Sequence, residues 1–110
     1  MNSRSHDFDN RAPELVQAAR AEGSYLRVYK KDSKFGYEGY PGVVPTRGEE
    51  KARGFVLTPA CRFWQDAKDL TSSGVMQRIE GPGVFLQMTE FISIEIIDAR
   101  QSTCNKLAGG

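Results

Sequence analysis

The side chains able to do chemistry in this chain are few, and their spacing does not favour catalysis. The single histidine, His6, lies in the polar stretch MNSRSHDFDN, which has no pattern that would hold an imidazole in place. A hydrolytic triad and histidine-based proton transfer are therefore disfavoured. The two cysteines, Cys61 and Cys104, are too few and too far apart for a zinc site or a disulfide-dense scaffold, so reduced thiols are expected. Cys61 falls at an expected helix start, where backbone amides can lower a thiol pKa, but no ordered base accompanies it. A buried, inert Cys61 is the expectation. Glu49 or Glu50 with Arg47, Arg53 and Tyr40 would form an acid site in a small enzyme built around residues 37–53. Charged residues between a glycine-rich loop and a strand are ordinarily solvated linkers, which places this reading last. The run KFGYEGYPG has neither the GxxxxGK[ST] nor the GxGxxG spacing of a phosphate cradle, and no cofactor or metal is expected.

A richer combination lies in residues 29–53. Lys30, Lys31, Lys34, Arg47, Lys51 and Arg53 alternate with Tyr29, Phe35, Tyr37 and Tyr40. Cations for phosphates and rings for bases are what single-stranded nucleic-acid binding uses. Asp32, Glu38, Glu49 and Glu50 cancel much of that charge, so nucleic acid is the second reading. The same tyrosines and glycines suit a protein-binding loop, because tyrosine gives contact area at small ordering cost.

The whole chain sets few constraints on partners. Its 110 residues are 39% hydrophobic and 26% charged, with a formal net charge of +1, as expected of one folded domain without a global pull toward nucleic acid or anionic membrane. No stretch has the apolar length of a signal peptide core or membrane helix, so a cytoplasmic protein without membrane contact is expected. The ending Gly109–Gly110 is similar to that of ubiquitin-like modifiers; the likeness covers two residues, and the order of elements differs, so a chance ending is expected.

The elements that would position these residues make an α+β domain over residues 10–100, with a loose N-terminus at 1–9 and a loose polar tail at 101–110. Asn10–Glu22 reads as a first helix, with Leu15, Ala18 and Ala19 inward and Gly23 as its stop. Tyr25–Lys30 alternates as a strand. Residues 31–53, rich in glycine and proline, read as a long loop with a short strand at Val43 and Val44. Phe55–Thr58 reads as a strand running into a second helix, Pro59–Leu70, whose stripe would bury Ala60, Phe63, Trp64, Ala67 and Leu70. Three further strands, within 75–80, 84–88 and 91–98, suggest a C-terminal three-stranded meander. The expected architecture is thus an antiparallel sheet of four to five strands flanked by two helices, with Leu26, Val28, Phe55, Leu57, Val84, Leu86, Met88, Ile92, Ile94 and Ile96 facing inward.

Phe91 and Ile97 then fall on the outer face of the last strand, where a fully solvated surface would have no use for them. Either the chain's own elements or a second subunit must cover them. The leading expectation is a small non-enzymatic protein-protein interaction or regulatory protein that self-associates as a homodimer, using Phe35, Tyr37, Tyr40, Arg47, Arg53, Phe91 and Ile97. Single-stranded nucleic acid, held by Lys30, Lys31, Lys34 and Lys51, is the alternative.

Overall fold

The computed structural model describes residues 3–7, 12–43, 54–71, 74–87 and 91–109. In chain order these form β1 (Ser3–Asp7), α1 (Ala12–Glu22), β2 (Tyr25–Lys30), β3 (Phe35–Val43), β4 (Gly54–Trp64), β5 (Met76–Arg78), β6 (Val84–Gln87) and β7 (Phe91–Ile97). A 3-10 turn (Ala99–Gln101) and the short α2 (Thr103–Leu107) follow. The seven strands make one sheet in the order β1-β7-β2-β3-β4-β5, all neighbours antiparallel. Strand β6 pairs with β4 alongside β5, because β4 is long enough to carry β6 on its first half and β5 on its second.

Alternation at two-residue spacing gives the sheet two apolar faces. On one, Leu26 and Val28 pair with Ile96 and Ile94, and α1 lays Val16 and Ala19 across them. Phe55, Leu57, Ala60 and Leu86 complete this buried cluster. Glu14, Gln17 and Arg20 face water, as an amphipathic helix requires. The helix ends at Gly23 (φ 74°), which lets the Ser24 amide donate to the Ala19 carbonyl at 2.9 Å.

The opposite face buries Tyr25, Cys61, Phe63, Met76, Ile97 and Cys104. The C-terminal segment returns over it and is fastened by a Cys61–Cys104 disulfide with Cα atoms 5.6 Å apart. Beneath this cap lies the fully buried carboxylate of Glu38. Its Oε1 accepts from Arg27 Nε at 2.8 Å, and its Oε2 accepts from the Ser102 hydroxyl at 2.7 Å and the Cys104 amide at 3.0 Å. Arg27 Nη1 also reaches Glu95 Oε1 at 3.1 Å. Such pairing is what allows a carboxylate to sit inside, since an uncompensated buried charge costs several kcal/mol. Ser102 has a second task, accepting the Asn105 amide as the N-cap of α2.

Several expectations are corrected. Pro59–Leu70 is not a helix: β4 continues to Trp64, followed by turns. Between the pairs Gly39–Ala60 and Pro41–Leu57, one residue of β3 (Tyr40) faces two of β4 (Thr58 and Pro59), and this bulge shifts parity so that Phe55, Leu57 and Ala60 all face α1. The helical stripe expected here combines residues from both faces, Ala60 and Trp64 on one and Phe63 on the other. Residues 35–43 are a central strand instead of a loop, because the glycines allow close packing: a Cβ on Gly36 would lie 2.6 Å from Phe63 Cζ. The last three strands form no meander, since β5 and β6 pair with β4 while β7 runs between β1 and β2. Where a loose N-terminus was expected, Ser3–Asp7 pairs with Ser93–Ile97. Where a loose tail was expected, α2 is held by the disulfide, and neither Cys61 nor Cys104 is a free thiol. Ile97 is buried by the chain's own cap, not by a second subunit. Met88 lies outside the described residues.

Candidate functional site

Among the described residues, the helix-side face is covered only in part. Leu26 pairs with Gly39, Val28 with Tyr37, Tyr37 with Arg62, Phe35 with Trp64, and Arg62 with Gln77. Strand parity therefore puts Lys30, Phe35, Tyr37, Arg62, Trp64 and Gln77 on the same face as the α1 contacts, at the end of the sheet where β2 turns into β3. There the rings remain in reach of solvent. Trp64 is 44% exposed, which decides against its being part of the core.

The side chains at this end touch one another. Phe35 and Trp64 have ring centroids 4.3 Å apart at 40°, and the Arg62 guanidinium lies 4.4 Å from the centre of the Phe35 ring. Lys30 Nζ stands 5.6 Å from the centre of Tyr37. Cations over ring faces are attracted by the ring quadrupole, by about 0.5–1 kcal/mol where water has access. Arg62 Nη2 is also oriented by Gln77 Oε1 at 3.5 Å. The result is a platform of three rings with two cations resting on it.

Gln65 fixes a second group of cations beside the platform. Its Oε1 accepts the Lys30 amide at 2.6 Å, and its Nε2 donates to the carbonyls of Ser33 at 2.6 Å and Lys30 at 3.2 Å. Its own amide donates to the Lys34 carbonyl at 2.8 Å. Ser33 further closes the turn by accepting the Phe35 amide at 3.1 Å. The turn 31–34 thus hangs from the end of β4, with Lys31 and Lys34 exposed next to Phe35.

The structure brings together some of the residues expected at a site and separates others. Lys30, Phe35 and Tyr37 meet on the open face, and Lys31 and Lys34 flank it. Tyr40 does not join Tyr37: three residues on, it falls on the opposite face beside Tyr25, with ring centroids 6.0 Å apart, and its hydroxyl donates to the Arg20 carbonyl of α1 at 2.9 Å. Ile97 belongs to the opposite, buried face. Phe91 opens β7 in register with Lys30, and its side-chain surroundings lie outside the described structure, as do Arg47, Glu49, Glu50, Lys51 and Arg53. Arg62 and Trp64 were missed as site residues because a helix was expected over them. The signal that would have found them is the alternation Ala60, Arg62, Trp64 against Cys61 and Phe63.

On the capped face the polar groups serve each other. The Tyr25 hydroxyl donates to Asn105 Oδ1 at 3.0 Å. Burial first, then the nearby Glu38 and Tyr40, holds its phenol above the usual tyrosine range. Burial likewise raises Tyr29, which packs edge-on to Phe63 with centroids 5.4 Å apart. Among the described residues no group of three or more His, Cys, Asp and Glu side chains is placed to hold a metal ion, and no helix is long and apolar enough to cross a membrane. Comparison of the chain with protein-family models, with curated proteins and with solved structures found no match.

Proposed function

We propose that this chain is a small non-enzymatic binding protein whose working surface is the open end of the helix-side sheet face. The observation that carries this reading is Trp64, 44% exposed yet packed on Phe35 and bordered by Arg62. Trp, Tyr and Arg are the residues most enriched among those that carry binding energy at interfaces. The carboxylates of Glu38 and Glu95 are engaged with Arg27 on the opposite face, so the open surface itself offers rings and cations. Those groups recognise ligands.

Trp64 is the only tryptophan in the chain, so its emission reports directly on this surface. Titration with a single-stranded oligonucleotide, with an acidic peptide, and by self-dilution tests the reading. A shift or quench in at least one series, lost when Arg62 is replaced by alanine, is the expected result. Silence in all three series from a folded protein overturns it.

Self-association is a second reading, supported by Phe85 on β6, which is 55% exposed and lies over Gly54. Light scattering of the wild type and of Phe85→Asp tests it: a dimer lost in the variant supports a homodimer, and a monomeric wild type sinks it. The expectation of a cytoplasmic protein rested on the lack of a signal-like or membrane-length apolar stretch together with unpaired thiols, and the Cys61–Cys104 bond removes the second support, because disulfides persist in oxidising compartments.

A further inference from the structure

We infer that the ligand of the open face is single-stranded nucleic acid, with bases stacking on Trp64, Phe35 and Tyr37 and phosphates held by Lys30, Lys31, Lys34 and Arg62. This rests on the binding reading above and names its partner. Four cations surround the rings, against Asp32 and Asp66 in the adjoining turns, so the local balance is positive although the chain as a whole carries only +1. A polyanion fits that balance. Protein interfaces, by contrast, are depleted in lysine at their centres, and here a lysine rests on one of the rings.

The shape of the surface selects between forms of nucleic acid. It is a sheet face of rings and cations, and no helix among the described residues of this end is placed to enter a major groove. Duplex bases keep their faces stacked on one another, whereas a single strand presents them to a protein ring. Register also sets the rings at useful intervals. Phe35 and Tyr37 lie two residues apart on β3, with Trp64 and Arg62 directly opposite on β4. Successive positions along one strand of a ligand can therefore meet a ring and then a cation.

The partner can be tested by fluorescence anisotropy on labelled homopyrimidine strands of about 15 nucleotides, the upper range of site size for one small sheet domain. DNA and RNA strands, a matched duplex and a glutamate-rich peptide form the arms. Binding of the single strands in preference to the duplex is expected. The log–log dependence on salt should have a slope of about −3, from four phosphate contacts at about 0.7 each. Trp64→Ala should weaken binding by about tenfold, and Lys31→Ala with Lys34→Ala should lower the slope. Phe85→Asp, on the other parity, should leave affinity unchanged. These exposed positions make loss of fold avoidable, and circular dichroism checks it. The inference is overturned by absence of single-strand binding at low salt, by equal binding of duplex, or by affinity indifferent to Trp64→Ala. If the glutamate-rich peptide shifts Trp64 while both oligonucleotides leave it unchanged, the binding surface stands and the nucleic-acid partner falls.

Discussion

Phe35 on β3 and Trp64 on β4 are register partners whose ring centroids lie 4.3 Å apart on the open face of the sheet. Their neighbours one residue away, Gly36 and Phe63, are register partners too, but on the face sealed by the C-terminal cap. One pair of strands thus serves both purposes. Its capped side builds core, and its other side, core at Phe55, Leu57 and Ala60, presents rings and cations at this end.

This division separates Phe63 from Trp64 energetically. Phe63 is 1% exposed, and Phe63→Ala should cost about 3–5 kcal/mol, whereas the half-exposed Trp64 should cost about 1 kcal/mol when truncated. Urea denaturation of the two variants measures the contrast. Equal large losses would return both residues to one buried stripe, as a helix would have placed them.

The cap should depend on Glu38. Replacing it with alanine leaves Arg27 without one carboxylate and the Ser102 hydroxyl and Cys104 amide without their acceptor, for an expected loss of about 3–5 kcal/mol. Glu38→Gln keeps the shape and an acceptor, so a smaller loss is expected. Chemical denaturation with both variants checks the order. A neutral Glu38→Ala would show that the network does not hold the cap.

The disulfide links residues 43 positions apart and should stabilise the fold by about 2–4 kcal/mol, chiefly by restricting the unfolded chain. A Cys61→Ser, Cys104→Ser double variant should unfold at lower urea, and reductant should lower the wild-type midpoint while leaving the variant's in place. Mass spectrometry of the oxidised protein, showing both thiols resistant to alkylation, checks the bond itself.

Alkaline conditions should act through Tyr25. Its phenol is raised chiefly by burial and further by Glu38 and Tyr40, so the folded state favours the neutral form. The associated stability is complete below the ordinary tyrosine value of about 10 and is lost as pH rises through the higher folded value. Urea midpoints across that range should fall more steeply for the wild type than for Tyr25→Phe. Parallel curves would contradict this assignment.

Much of the core was legible because alternation survives any arrangement of neighbours. Leu26, Val28, Phe55, Leu57, Leu86, Ile94 and Ile96 face α1 as their spacing predicts. The second helix was misread because Thr58–Pro59 has the form of a helix start and because apolar residues from both faces of β4, Ala60 and Trp64 on one and Phe63 on the other, fall at helical spacing. Strand β3 was hidden by its glycines, whose role appears only when the Phe63 ring is seen across from Gly36. Distance along the chain concealed the disulfide. Of the open face, Lys30, Phe35 and Tyr37 could be read from composition, while Arg62 and Trp64 became visible only once β4 was a strand.

Photo-crosslinking reads contact between bases and the rings of the open face without an intermediate inference. A single-stranded oligonucleotide carrying a photoactivatable pyrimidine, irradiated with the protein and mapped by mass spectrometry, reads which side chains the bases touch. Adducts at Trp64, Phe35 or Tyr37, suppressed by Arg62→Ala, are expected. Adducts confined to other segments, or none at low salt, would contradict the nucleic-acid reading.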